Sequence, residues 1–208
     1  MQFSMLIQAT VLVLFAHIAA AVALPIEDHL PVKRGASGAM RFTGSIYPGG
    51  PAVDLTGTIN DVFPKLIKLY PNLKPVTAPT TSTSPNPSLA KRAFKKNTRC
   101  IKESADRADY YTVINHALPY IRAIGNLMCE APLGWGCASI YCVPSPIANI
   151  RLCNGWATPT KVPCIKVWEA AVVVAEKCTA GAKKSIRGQQ QSDIGNYTVA
   201  ITAVPCFL

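Results

Sequence analysis

Pro163-Cys164-Ile165-Lys166-Val167-Trp168-Glu169-Ala170-Ala171-Val172-Val173-Val174-Ala175-Glu176-Lys177-Cys178 reads as an amphipathic helix with a cysteine at each end. Proline suits its first turn, where the missing N–H would have no intrahelical partner anyway. Ile165, Val167, Trp168, Ala171, Val172, Val174 and Ala175 supply apolar side chains at helical spacing. Cys164 and Cys178 lie fourteen residues apart, close to a whole number of turns, so both point roughly to one face.

Working outward, the flanks read as strands. Residues 137–143 and 149–153 are apolar, β-prone runs separated by Pro144-Ser145-Pro146. Downstream, 184–188 and 197–204 complete the set, the last alternating Tyr197, Val199, Ile201 and Ala203 against Thr198, Ala200, Thr202 and Val204 before Cys206. Upstream, Ser104 is a candidate N-cap with Asp106 in the first turn, and helical spacing runs from Ala105 to about Met128. Pro119 interrupts that run, leaving one kinked helix or two short ones. The expected fold is α+β: a small disulfide-stabilised sandwich, with an antiparallel sheet of about four strands and two helices on one face.

All eight cysteines fall in the second half of the chain, at Cys100, Cys129, Cys137, Cys142, Cys153, Cys164, Cys178 and Cys206. An even number behind a secretion signal implies four disulfides, although eight cysteines permit 105 pairings. No Cys-x-x-Cys pair is present and His116 is the only histidine after residue 92, so zinc spacing is lacking and neither metal nor cofactor is expected. Oxidised cysteines also leave no thiol nucleophile.

The first half has another character. Leu6 to Ala23 is almost unbroken apolar sequence ending Ala21-Val22-Ala23, a small-residue pattern that a signal peptidase accepts. A membrane anchor is the rival reading, but no basic stop-transfer flank follows, so cleavage after Ala23, secretion and no transmembrane anchor are expected. Two dibasic pairs come next, Lys33-Arg34 and Lys91-Arg92, each suited to a processing protease of the secretory pathway. The second follows a Ser/Thr/Pro stretch, residues 76–88, whose composition favours extended backbone. Between the pairs, Gly49-Gly50-Pro51 reads as a turn. Val62, Phe63, Leu66, Ile67 and Tyr70 fall on one side of a short helix, with Pro64 in its first turn. The expected organisation is a signal peptide (1–23), a propeptide with a Ser/Thr/Pro-rich linker (24–92) and a mature cysteine-rich domain (93–208). A second functional product is the alternative reading of the pro-segment.

With 50% apolar and 15% charged residues the chain is too apolar for a disordered protein, and its formal net charge is +10. Lys95, Lys96, Arg99 and Lys102 form one basic group, and Lys183, Lys184 and Arg187 form another. If the two meet on the sheet they make a cationic face for an acidic polymer or an acidic cell-surface protein. Nucleic acid is not an expected partner of a secreted chain. Trp135 and Trp156 sit beside glycines in loops, either as exposed anchors or as cover for the core edge. Asn196-Tyr197-Thr198 is an N-glycosylation sequon. For catalysis, His116 lacks a Gly-x-Ser-x-Gly context, and Asp106, Asp109, Glu130, Glu169, Glu176 and Asp193 form no evident acid–base pair. An enzyme is therefore not expected. The alternatives are a small secreted hydrolase and a cationic membrane-active antimicrobial protein.

The order of features carries a resemblance. A helix precedes Cys137-x-x-Ile140-x-Cys142, then Arg151-Leu152-Cys153-Asn154-Gly155. The cysteine-bounded helix follows, and Gly188, Asp193-x-Gly195-x-Tyr197-x-Val199 and Cys206 close the pattern. This resembles the killer-toxin-like small secreted proteins of fungi, across most of residues 100–206, in cysteines and elements more than in side-chain identity. Pro119 departs from the pattern. The resemblance implies a secreted effector or killer-like toxin that binds a surface component of a host or competitor cell and interferes with cation channels or host defence. It carries no functional residue over.

Overall fold

Along β12 (Tyr197–Thr202), Tyr197, Val199 and Ile201 are buried while Thr198, Ala200 and Thr202 are half-exposed, as the alternation predicts. In this computed structural model the described residues are 37–76, 97–101, 106–132, 134, 136–155, 157–181, 184–193 and 195–206. The chain divides into two units, Met1–Lys33 and Arg34–Leu208, and the description below concerns the second.

The elements are β1 (Ser37–Gly44), β2 (Val53–Gly57), α1 (Ile59–Leu69), β3 (Thr98–Cys100), β4 (Ala108–Asp109), α2 (110–123), β5 (Met128–Ala131), β6 (Cys137–Pro144), β7 (Ile147–Asn154), β8 (Thr160–Pro163), α3 (Cys164–Lys177), β9 (Thr179–Ala180), β10 (Ser185–Ile186), β11 (Gly188–Gln191) and β12. Among the described residues there are three helices, a nine-stranded sheet in the order β3-β11-β12-β7-β6-β1-β5-β8 with β2 on β1, and a small sheet β4-β10-β9. The α+β class stands. The expected sheet of about four antiparallel strands does not: it is larger, and mixed, because β1 runs parallel to β6.

β1 joins two halves of the sheet. Residues 37–39 pair with 137–139 of β6, whereas residues 41–43 pair with 128–130 of β5 and, on the other side, with 54–56 of β2. Met40 and Phe42 have no exposed surface. Ile46, Ile59, Val62, Phe63, Leu66, Tyr70 and Leu73 are also buried, in one core with residues from every later helix. Each such side chain is worth about 1.5–3 kcal/mol on burial. The segment read as a propeptide thus supplies the middle of the sheet and part of its core. Ile67, expected on the inner side of α1, is exposed.

α1 begins at a capping box, in which Asp61 accepts from the Thr58 backbone N–H at 2.9 Å and from its hydroxyl at 2.7 Å. These bonds, the hydroxyl first, hold the Asp61 carboxyl below the usual range. α2 corrects the expected start at Ser104. It begins at Tyr110, where the Asp109 carboxylate accepts from Thr112 N at 2.7 Å. Asp106 instead takes a positive φ of 58° ahead of β4. Pro119 is accommodated in one helix: a π-turn, Val113–Ala117, precedes it, and Leu118 N–H bonds to the carbonyl of Val113. The wider turn relieves the clash of the proline ring with the carbonyl one turn back.

α3 matches its expected bounds and is bonded to the sheet at both ends. Cys164 joins Cys129 of β5, and Cys178, the C-cap, joins Cys100 of β3. Cys137 bonds Cys153, its directly opposed partner on β7, and Cys142 bonds Cys206. The four expected disulfides therefore form. The Arg122 guanidinium lies 5.1 Å over the Trp168 ring, linking α2 to α3.

Candidate functional site

β3 is a three-residue edge strand, and its alternation sorts its side chains between two faces. Cys100 turns toward α3 and bonds Cys178, and the Thr98 hydroxyl accepts from Lys177 Nζ at 2.9 Å. Arg99 therefore points to the other face, and it is exposed. β11 lies antiparallel beside it, with Gln189 opposite Arg99 and Gly188 opposite Cys100.

The pairing extends this into a row. Ser139, Arg151, Ala200, Gln189 and Arg99 are successive cross-strand partners on β6, β7, β12, β11 and β3. The next row holds the Cys137–Cys153 bridge, Thr198 and Gln191. Both rows lie opposite the buried Leu152, Val199 and Ile201, which face the helices. Arg151 and Arg99 are three strand spacings apart, about 14 Å. Burial alone holds the Arg151 guanidinium below its usual pKa. Among the described residues its Nε and the Oγ of its neighbour Ser139 have no hydrogen-bond partner. The face presents two guanidiniums with Ala200 and Gln189 between them and Thr198 and Gln191 in the next row, a set suited to hydrogen-bonding anionic or polyhydroxylated ligands.

Two open clefts meet beside it at Asn196. One, of about 570 Å³, is lined by Thr158, Thr160, Lys161, Lys166 and Tyr197 among others, and the second, of about 490 Å³, by Asn154, Gln189, Gln191 and Thr198. The sequon asparagine is exposed just before β12 and not inside it, so it is accessible to modification.

The expected convergence of basic groups holds in part. Ile101 N bonds to Arg187 O at 3.2 Å, so the chain after β3 runs beside the turn into β11 and brings Arg99 and Arg187 to one edge. Arg187 is largely buried, with its guanidinium 3.9 Å from Asp106, so its charge is partnered within the fold. Lys184 is exposed, and its carbonyl accepts from Tyr110 N at 3.2 Å. The expected strand over 184–188 is instead two, β10 and β11, divided at Arg187. Ala23, Lys33, Arg34, Lys91, Arg92, Lys95, Lys96, Lys102, Trp135, Trp156 and Lys183 lie outside the described residues.

Five of the six carboxylates weighed for catalysis hold structural partners, Asp106 on Arg187 among them, and Glu176 is exposed. Asp109 caps α2, Asp193 accepts from Asn97 at 2.6 Å, Glu169 pairs with Lys166 at 2.8 Å, and Glu130 lies 3.8 Å from Arg41. His116 sits in the π-turn with its ring edge-on to Tyr111 at 5.8 Å. Among the described residues no three His, Cys, Asp or Glu side chains converge as metal ligands, and no helix is long and apolar enough to cross a membrane.

Arg107 was not anticipated. It donates to Ser185 Oγ at 2.8 Å, Ile101 O at 3.0 Å and Cys178 O at 3.2 Å, tying the end of β3, the small sheet and the C-terminus of α3 together. A cation at that end also suits the helix dipole. Gly188 has a stricter role. A Cβ there would lie 2.6 Å from Cys178 Sγ and 3.1 Å from Arg99 O, so the bridge passes where a side chain would stand. Gly188→Ala is expected to cost about 1–3 kcal/mol through overpacking. Urea denaturation of the variant checks this, and an unchanged midpoint would show that the bridge can move aside. Compared with models of protein families, with curated proteins and with solved structures, the chain matches none.

Proposed function

We propose that this chain is a secreted fungal effector or killer-like toxin, released by cleavage after Lys91-Arg92, that acts by binding a surface component of a host or competitor cell. The observation that carries this reading is the register that sets Arg151, Gln189 and Arg99 in one row on the sheet face turned away from the helices. A rigid, cationic, amide-rich face suits an acidic polymer or an acidic protein surface, and interference with channels or defence would follow from occupying it. Four disulfides support an oxidising, extracellular setting. The leader and the dibasic pairs support the route there.

The test applies the purified secreted protein to candidate host tissue and competing fungi, scoring death, growth arrest or suppressed defence, and measures its binding to their wall material. Arg99→Glu reverses an exposed charge that makes no side-chain bond among the described residues. It is expected to weaken binding about tenfold, and the wild-type affinity should fall with added salt. Binding that ignores both the reversal and the salt would remove this face from consideration.

A further inference from the structure

The segment between the two dibasic pairs is woven into the sheet. β1 pairs along its first half with β6 and along its second with β5, so without it the backbone groups of both neighbours lose partners and the sheet parts into two pieces. Its neighbours also hold it through side chains. Asn60 Nδ2 donates to Cys142 O at 2.8 Å, Asn126 Nδ2 donates to Ile46 O at 2.7 Å, and Phe63 packs edge-on against Tyr120 at 4.6 Å. Val76 N, near its end, donates to Pro119 O at 3.1 Å.

The segment also carries structure of its own. β1 and β2 form an antiparallel pair. The Tyr70 hydroxyl, at the end of α1, donates to the carbonyl of Pro51 and lies 3.2 Å from Ser45 Oγ, which fixes the helix to the turn between the strands. No cysteine precedes Cys100, so once the chain is cut between α1 and β3 no covalent bond joins the segment to the rest.

We propose that residues 35–92 are retained after processing as a noncovalent second subunit, with β1 lodged between β5 and β6 of the cysteine-rich chain. The inference rests on cleavage at Lys91-Arg92, as set out under the proposed function, and on a second cut at Lys33-Arg34, and gives the excised segment a permanent structural place. A masking segment would cover a finished surface; this one completes the sheet.

The test uses the protein as secreted. Native mass spectrometry is expected to show one particle containing both polypeptides in equal number, with amino termini at Gly35 and Ala93. A denaturing gel run without reductant should separate them. A native particle of 93–208 alone would overturn the inference while leaving the cleavage intact. A single uncut chain would overturn the cleavage and the inference together. Phe42→Asp in the full chain places a carboxylate where the segment meets the core, and at least a tenfold loss of 35–92 from the cleaved particle is expected. Equal retention in variant and wild type would show that β1 is not the anchor.

Discussion

Replacing Phe42 with alanine is expected to remove about 3–5 kcal/mol of stability, whereas Arg41→Ala, at the adjacent position, should leave the denaturation midpoint nearly unchanged. The contrast follows from the pleat. Phe42 is fully buried on the face of β1 turned to the core, and truncation leaves a cavity bounded by helices and sheet that cannot collapse without moving a paired strand. Arg41 points outward, with its guanidinium on Asp54 at 2.6 and 2.8 Å, in an ion pair whose two side chains are each about half exposed. Water and salt screen such pairs, and they contribute little. Total stabilities of small domains are about 5–15 kcal/mol, so the Phe42 loss is a large share of what holds the molecule together. Urea titrations of the two variants decide the matter. If Phe42→Ala shifts the midpoint no more than Arg41→Ala, then β1 is not part of the cooperative core.

The contrast also shows why β1 escapes a reading of the sequence. Ser-Gly-Ala-Met-Arg-Phe-Thr-Gly has glycine near each end and two large apolar residues, Met40 and Phe42, in alternation, too short a pattern to stand out from a loop. Two of its three pairing partners, β5 and β6, lie about ninety and a hundred residues away, and no local signal records them. β3, β8 and the two-residue strands of the small sheet span no more than two periods of the alternation, too few to announce a strand. What was legible had strong periodicity or hard punctuation. α3 carries apolar residues along its whole length between Pro163 and Cys178, β6 and β7 are apolar runs of eight residues, and β12 alternates over six. Ser104 lies outside the described residues, and the capping chemistry expected of it is supplied five residues later by Asp109.

The site was legible to a similar depth. Two basic groups were visible in the sequence, and the pairing of β3 with β11 brings Arg99 and Arg187 to one edge. Which charges remain available depended on contacts that no spacing encodes: Arg187 meets Asp106, and Arg107 is spent on three carbonyls and a hydroxyl. Arg151 could have been found. Once residues 149–153 are a strand with Ile150 and Leu152 inward, Arg151 must face the side that the helices do not cover.

Removing the Cys100–Cys178 bridge by alanine at both positions should be the most damaging of the disulfide deletions, both to stability and to the candidate face. The bridge spans 78 residues of sequence, and closing so long a loop restricts the unfolded chain by about 4–5 kcal/mol, against about 3 kcal/mol for the 16-residue span of Cys137–Cys153. The native state widens the gap. Cys137 and Cys153 are opposed within an eight-residue pairing of β6 with β7 that persists without them. Cys100 ends a three-residue edge strand whose ladder to β11 is short; beside it the Thr98 hydroxyl accepts from Lys177 and donates to Gln190 Oε1, and Arg107 holds Ile101 O. Without the bridge, β3 frays and Arg99 leaves its row beside Gln189, so binding falls even at temperatures where the core stays folded. Hydrogen exchange at the amides of 98–100, read beside the binding assay, separates the two effects. Fast exchange with weakened binding in Cys100→Ala/Cys178→Ala, and neither in Cys137→Ala/Cys153→Ala, is the expected pair of results. Intact binding with a frayed β3 would mean that the active face lies elsewhere on the sheet.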